Sequence, residues 1–269
     1  PTIALFSRDD PAAQEVAARW LAIGPGSVGA RRALAWVALA DGDVESAERW
    51  LSELLAEAGL EGQRATAQVL VAAENRTHAP GLLARLAARG LLKAEQGGPN
   101  WPAIASHLGD NTVAAELVDI ETRDRPKSAD TWRSAAQVHR AAGNDQVAER
   151  ALRRALELAP ADFDTRLALA SLLSGSERVD AADKVLAAAP EVSDRVYAAR
   201  IANAAAEPSA RLLRRIARSL ERAGEEVRSR AFLLGQLAEL GKRQDDAIAW
   251  YEKEPEGPAW HDAQLRRAV

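Results

Sequence analysis

Residues 129–160 read ADTWRSAAQVHRAAGNDQVAERALRRALELAP and contain two amphipathic segments on either side of Gly143. In both segments, small and apolar residues recur three and four positions apart, which is the spacing of one buried helix face. A glycine between two such segments ends a helix by taking the left-handed backbone conformation. The stretch therefore predicts a pair of helices joined by a tight turn, within a unit that extends over residues 129–162.

The positions of the signature residues in this unit match a known repeat. Trp132 is its fourth residue, Ala136 its eighth, Gly143 its fifteenth, Ala148 its twentieth and Pro160 its thirty-second. The tetratricopeptide repeat, which is about 34 residues long, carries its signature at these positions. The unit resembles that family, with small residues in place of the Leu-Gly pair and a histidine in place of the tyrosine. This resemblance implies helix pairs that stack into a right-handed superhelix and bind other chains.

The same register fits three further stretches of the chain. They are residues 28–59, 163–191 and 228–257, and the last contains a true Leu-Gly pair. Small residues at the eighth and twentieth positions allow the two helices of a pair to cross closely. We therefore expect an all-α fold, a tetratricopeptide-type helix-turn-helix solenoid in one array over residues 1–269.

The remaining stretches fit the register less well. Residues 60–127 predict four helices in degenerate repeats, and the Gly-Gly-Pro within them predicts an irregular turn or a hinge. Residues 9–25 predict the second helix of a repeat, and residues 257–269 begin another helix. We therefore expect the chain to be part of a longer array.

The composition argues against several classes of protein. The chain has 35 Lys and Arg against 39 Asp and Glu, and the two signs are mixed along it, so it predicts no basic face and no nucleic-acid partner. It has no cysteine, which removes disulfides, thiolate zinc sites and a cysteine nucleophile. The longest apolar run, residues 33–40, is far shorter than the about 20 residues that cross a bilayer, so we expect no transmembrane segment here.

No motif in the chain predicts catalysis. None of the four histidines has the spacing of a zinc ligand, and His139 occupies a packing position of the repeat. Acidic pairs such as Asp245–Asp246 fall at predicted helix starts, where they complement the helix dipole. There is no nucleophile elbow, dinucleotide fingerprint or Walker pattern. The sequence predicts a protein that is not an enzyme and that needs no cofactor and no metal.

The resemblance to the repeat family implies where a partner binds. In that family, positions 2, 5, 9, 12 and 13 of each first helix line the concave face that holds the partner. Eight residues fall there: Arg32, Trp36, Leu39, Arg133, Gln137, Arg140, Phe232 and Gln236. Arginine and aromatic side chains dominate binding hot spots, although Trp36 and Phe232 are explained equally well by packing between helices. The family's clamp for a terminal carboxylate, with Lys at position 5 and Asn at position 9, is not present.

A narrower resemblance concerns both ends of the chain. Residues 8–47 and 233–268 are similar to regions of proteobacterial outer-membrane lipoproteins built from these repeats, which include the binding partner of a periplasmic carboxyl-terminal processing protease. The resemblance implies an adaptor in the bacterial periplasm that holds such a protease and is anchored through a lipidated cysteine upstream of Pro1. The cytoplasm is the alternative location. Two other functions stay open: a self-associating spacer that forms homo-oligomers, and the accessory module of an enzyme whose catalytic part lies outside residues 1–269.

Overall fold

The regular structure of the chain is helical. The computed structural model describes residues 26–73, 77–95 and 97–267, together with residues 15, 19, 20 and 22–24. The fifteen α-helices whose bounds are described there are α1 Val28–Ala40, α2 Val44–Glu57, α3 Gly59–Ala72, α4 Ala79–Ala88, α5 Trp101–His107, α6 Asn111–Asp124, α7 Ala129–Ala141, α8 Asp145–Leu158, α9 Phe163–Gly175, α10 Val179–Ala187, α11 Asp194–Ala206, α12 Ala210–Ala223, α13 Arg230–Leu240, α14 Gln244–Tyr251 and α15 Trp260–Arg267. The helix predicted at residues 9–25 lies largely outside the described residues.

The described residues form two compact units. The first comprises those up to Pro126 together with Gln137–Asn144, and the second comprises Lys127–Ala136 together with those from Asp145 onward. The boundary therefore divides α7. The prediction of one array over the whole chain stays a prediction.

Within each unit the helices pack as successive pairs. In the first unit, α1 packs on α2, and the odd-numbered helices α1, α3 and α5 contact one another in turn, as do the even-numbered helices α2, α4 and α6. In the second unit, α9 packs on α10 and α13 on α14, and the odd-numbered helices α9, α11 and α13 contact one another in turn. The connections inside these pairs have three residues, which is typical of neighbouring helices in helical repeats.

The same turn joins the two helices in each of the four predicted repeats at residues 28–59, 129–162, 163–191 and 228–257. In each, the backbone N–H of the sixteenth residue of the repeat donates to the carbonyl oxygen of the eleventh, a bond that is characteristic of a left-handed helix end. The four bonds are Asp43 to Ala38 at 2.8 Å, Asn144 to His139 at 2.8 Å, Arg178 to Leu173 at 2.9 Å and Arg243 to Ala238 at 2.9 Å. Gly42 and Gly143 have positive φ in two of these turns, as the sequence predicts.

Small residues lie where the helices of a pair cross. Ala35, Ala47 and Ala148 are fully buried, in agreement with their predicted packing positions. Gly235 shows how close the approach is, because a Cβ atom built on it would lie 2.2 Å from a ring carbon of Tyr251. A larger side chain at these positions would push the two helices apart.

The irregular segment between α4 and α5 is held by hydrogen bonds. Gln63 of α3 is buried, and its side-chain oxygen accepts from the backbone N–H of Lys93 at 3.3 Å and from the indole N–H of Trp101 at 3.0 Å. Arg64 donates to the carbonyl oxygen of Gly97 at 2.7 Å. The Gly-Gly-Pro is thus irregular, as predicted, and α3 ties the segment to the rest of the first unit.

Candidate partner-binding surface

In the first unit, α1 presents two of its three predicted binding residues. Arg32 is exposed, and its guanidinium donates to the side-chain oxygen of Gln68 on α3 at 2.7 Å. Trp36 is half-buried. Leu39 is only 1% exposed, so its prediction as a binding residue is wrong. It follows the crossing residue Ala35 by four positions and therefore lies on the same buried face of the helix.

Arg133 on α7 has a structural role in the second unit. Its guanidinium forms ion pairs with Asp130 at 2.5 Å and with Asp162 at 3.0 Å. Asp162 is the N-cap of α9, where its carboxylate also accepts from the backbone N–H of Thr165. Burial raises the pKa of Asp162, but the Thr165 hydrogen bonds and the charge of Arg133 outweigh it and hold this pKa below its usual range. Arg133 thus joins α7 to the start of α9.

Gln137 and Arg140 are the most accessible of the predicted residues on α7. Both belong to the first unit and are exposed. Neither side chain makes a hydrogen bond or ion pair within the described residues. Two long polar side chains on one helix face, three residues apart, are therefore free to contact a partner.

Phe232 and Gln236 lie on α13 of the second unit and are half-buried. The ring of Phe232 packs against that of Tyr251 with the centroids 5.8 Å apart, and the guanidinium of Arg266 lies 5.9 Å from it. The backbone N–H of Phe232 donates to the buried carboxylate of Glu254 at 2.8 Å. These contacts make Phe232 a packing residue between helices, which was one of its two interpretations.

The repeat positions that predict Arg133 as a binding residue also fall on residues of the next repeat that are not among the eight predicted ones. In the next repeat, the second, fifth and ninth positions are Asp164, Leu167 and Ser171, and none of the three is buried. Asp164 forms an ion pair at 2.6 Å with Arg195 of α11, whose guanidinium also lies 4.4 Å from the ring of Phe163. The same position count, carried into residues 163–191, would have identified them.

The other features considered from the sequence are His139, metal sites and membrane-spanning helices. His139 is buried, and its Nε2 lies 2.9 Å from the carboxylate of Asp119, consistent with a packing role. Across the part of the chain that the structure describes, no group of three His, Cys, Asp or Glu side chains is arranged to hold a metal ion. None of the described helices is both long and apolar enough to cross a membrane.

Paired helices with a recurring turn, and polar side chains presented from the first helix of a pair, define a helical repeat protein. Residues 129–172, which span α7, α8 and most of α9, match the family model of the tetratricopeptide repeat. The chain therefore contains a segment that is similar to the tetratricopeptide repeat, and repeats of that family form protein-binding surfaces.

Comparisons over the whole chain add little to this match. No curated protein sequence matches the chain. Among solved structures, it is similar to the crystal structure of a tetratricopeptide repeat protein from Parabacteroides merdae ATCC 43184 at 2.39 Å resolution. The two chains are 15% identical, with a TM-score of 0.39, over 87% of this chain and 94% of the other. Because both values are low, the similarity to the repeat family rests on residues 129–172.

Proposed function

We propose that the protein is a non-catalytic adaptor that binds a protein or peptide partner through the exposed side chains of its first helices. The observation that carries the proposal is the state of Gln137 and Arg140, which are exposed and unpaired on the helix that opens the matched repeat. They stand at the ninth and twelfth positions, which line the concave groove in this family. An arginine that is free of internal ion pairs can form forked hydrogen bonds with a partner's carboxylate.

A narrower proposal concerns the setting of this adaptor. The resemblance of residues 8–47 and 233–268 to outer-membrane lipoproteins supports a place in the bacterial periplasm, with lipid anchoring through an upstream cysteine. It also supports a carboxyl-terminal processing protease as the partner. This protease would be held by the repeats without any chemical step performed by the adaptor.

The test compares two charge reversals on exposed arginines. Arg140→Glu changes the proposed surface, and Arg150→Glu makes the same change on α8, outside it. The wild-type protein and both variants serve as bait for a proteobacterial envelope extract, and the retained proteins are quantified by mass spectrometry. We expect Arg140→Glu to reduce recovery of the partner about tenfold, as for a hot-spot residue, and Arg150→Glu to leave it unchanged.

The outcomes separate the proposals. Recovery of a processing protease that is lost with Arg140→Glu would establish the narrower one. Equal recovery with both variants would contradict the proposed surface. Retention of the bait alone, together with a dimer in light scattering, would favour a self-associating spacer. Arg133 is unsuitable for this test, because its replacement also removes the ion pair with the N-cap of α9.

A further inference from the structure

A second surface of the protein lies between two second helices of the second unit. A groove of about 540 Å³ separates α8 from α10, and α9 forms its floor. Its lining consists of Arg153, Leu156, Glu157, Arg166, Leu169, Ala181, Lys184, Val185 and Ala188. None of these is among the predicted binding residues, so this groove is distinct from the first-helix surface.

The floor of the groove contains a buried arginine without a counter-ion. Arg166 is 6% exposed, and its two terminal nitrogens donate to backbone carbonyl oxygens, those of Val185 at 2.8 Å and Pro160 at 2.7 Å. Its Nε–H is also buried and has no hydrogen-bond partner. Both acceptors are neutral, and no carboxylate in the described residues forms an ion pair with this guanidinium.

Arg200, a buried arginine with a structural role in the same unit, does have a counter-ion. It is 3% exposed, and its Nε donates to the buried carboxylate of Asp183 at 2.7 Å. Burying a guanidinium costs free energy unless an opposite charge and full hydrogen bonding compensate it. Burial also lowers the pKa of Arg166, although an arginine stays protonated at neutral pH. Arg166 therefore stays charged and uncompensated, in contrast to Arg200.

The residues at the rim and walls of the groove indicate which kind of ligand would balance the charge of Arg166. Lys184 is exposed and makes no ion pair within the described residues, whereas the only acid of the lining, Glu157, is paired with Arg154 at 2.7 Å. Leu156 and Val185, which are half-buried, form the apolar walls of the groove, and Leu169 is buried beneath its floor. The groove thus combines unbalanced positive charge with an aliphatic surface, which suits a carboxylate attached to an apolar segment.

We propose that this groove binds an acidic segment of a protein partner, with an Asp or Glu side chain directed at Arg166 and Lys184 and an aliphatic neighbour against Leu156 and Val185. Charge complementarity selects this occupant, because the uncompensated guanidinium needs an anion and the walls favour an aliphatic one. The proposal does not rest on the function of the first-helix surface.

The test uses two peptides with blocked, uncharged termini, Ac-Ala-Leu-Glu-Leu-Ala-NH2 and the same peptide with Gln in place of Glu (the Gln twin). They differ only in the side-chain carboxylate, which is an amide in the second peptide. Each is titrated into ¹⁵N-labelled protein while the Nε–H resonance of Arg166 and the backbone amides of α8 and α10 are followed by NMR. We expect the Glu peptide to shift these resonances and to bind about tenfold more tightly than the Gln twin, because only the carboxylate makes charge-assisted hydrogen bonds.

Two matched charge reversals locate the site. Lys184→Glu should weaken binding of the Glu peptide at least about fivefold, whereas Lys127→Glu, also exposed but outside the lining, should not change it. Equal affinity for the two peptides, shifts confined to other helices, or an unchanged affinity with Lys184→Glu would overturn the proposal. Tighter binding of N-acetyl-leucine than of the Glu peptide would also overturn it, in favour of a chain's terminal carboxylate.

Discussion

At the scale of single residues, Glu177 and Lys242 occupy a backbone conformation that suits glycine. Their φ angles are 59° and 58°, and both stand at the fifteenth position of a repeat. Gly42 and Gly143 fill this position in two other repeats with φ of 79° and 77°. A side chain makes the left-handed conformation about 1–2 kcal/mol less favourable, whereas glycine adopts it freely. The turn between the two helices is therefore strained where glycine is missing.

Replacing these residues by glycine should stabilise the protein. We expect Glu177→Gly and Lys242→Gly each to raise the free energy of unfolding by about 0.5–1 kcal/mol, since relief of the strain exceeds the added freedom of the unfolded chain. Gly143→Ala should lower it by a similar amount. Urea denaturation followed by circular dichroism measures all three.

A helical glycine provides the control for these substitutions. Gly175 ends α9 without positive φ and has open space around the position of a Cβ atom. Gly175→Ala should therefore be neutral or stabilising. A loss of stability in Glu177→Gly would show that its left-handed turn is not strained.

At the scale of helices, one buried ion-pair network joins α10, α11 and α12. The carboxylate of Asp183 is 1% exposed and accepts from Arg200 at 2.7 Å and from Arg215 at 3.1 Å. Arg215 also pairs with Asp180 at 2.7 Å, and Asp180 is largely exposed. The same guanidinium thus binds one buried and one exposed acid, so the two can be compared directly.

Removing the buried charge should cost far more stability than removing the exposed one. We expect Asp183→Asn to lower the free energy of unfolding by about 3–5 kcal/mol, because it leaves Arg200 buried and unpaired. Asp180→Asn should change it by less than about 1 kcal/mol. Urea denaturation of both variants measures the difference. Equal losses would mean that solvent reaches both carboxylates alike.

At the scale of the whole molecule, stability is built from contacts between neighbouring helices. The strongest helix contacts in each unit join consecutive helices, and the next strongest join helices two apart. In such arrays the stability approximates a sum of local terms, so a defect spreads to the neighbouring helices first. The effect of a substitution should therefore depend on its distance along the chain.

Hydrogen exchange should reveal this locality. In Asp183→Asn we expect faster amide exchange in α9–α13, while α1–α4 keep the protection of the wild-type protein. Hydrogen exchange measured by mass spectrometry resolves these helices. A uniform increase over all helices would instead indicate that the chain unfolds as one cooperative unit.

Only some of the predicted binding residues have the exposure that the sequence predicts, and the reason differs from residue to residue. The register correctly placed Arg32 and Arg140 at exposed positions, since exposure on a helix follows from its period. The register did not predict that Leu39 is buried beside Ala35. The buried face of α1 extends beyond the signature positions of the repeat, and its width depends on the neighbouring helix. The pairing of Arg133 with Asp162 also depends on the next repeat.

The helices, the turns between them and the positions where helices cross could be predicted from the amino-acid sequence. These follow from spacings of a few residues, such as Gly143 between two amphipathic segments and Ala148 twenty positions into its repeat. Which charged side chains form ion pairs depends on the tertiary structure. Arg200 meets Asp183 while Arg166 meets only carbonyl oxygens. That difference arises because each guanidinium reaches atoms from other helices, whose placement no local spacing encodes.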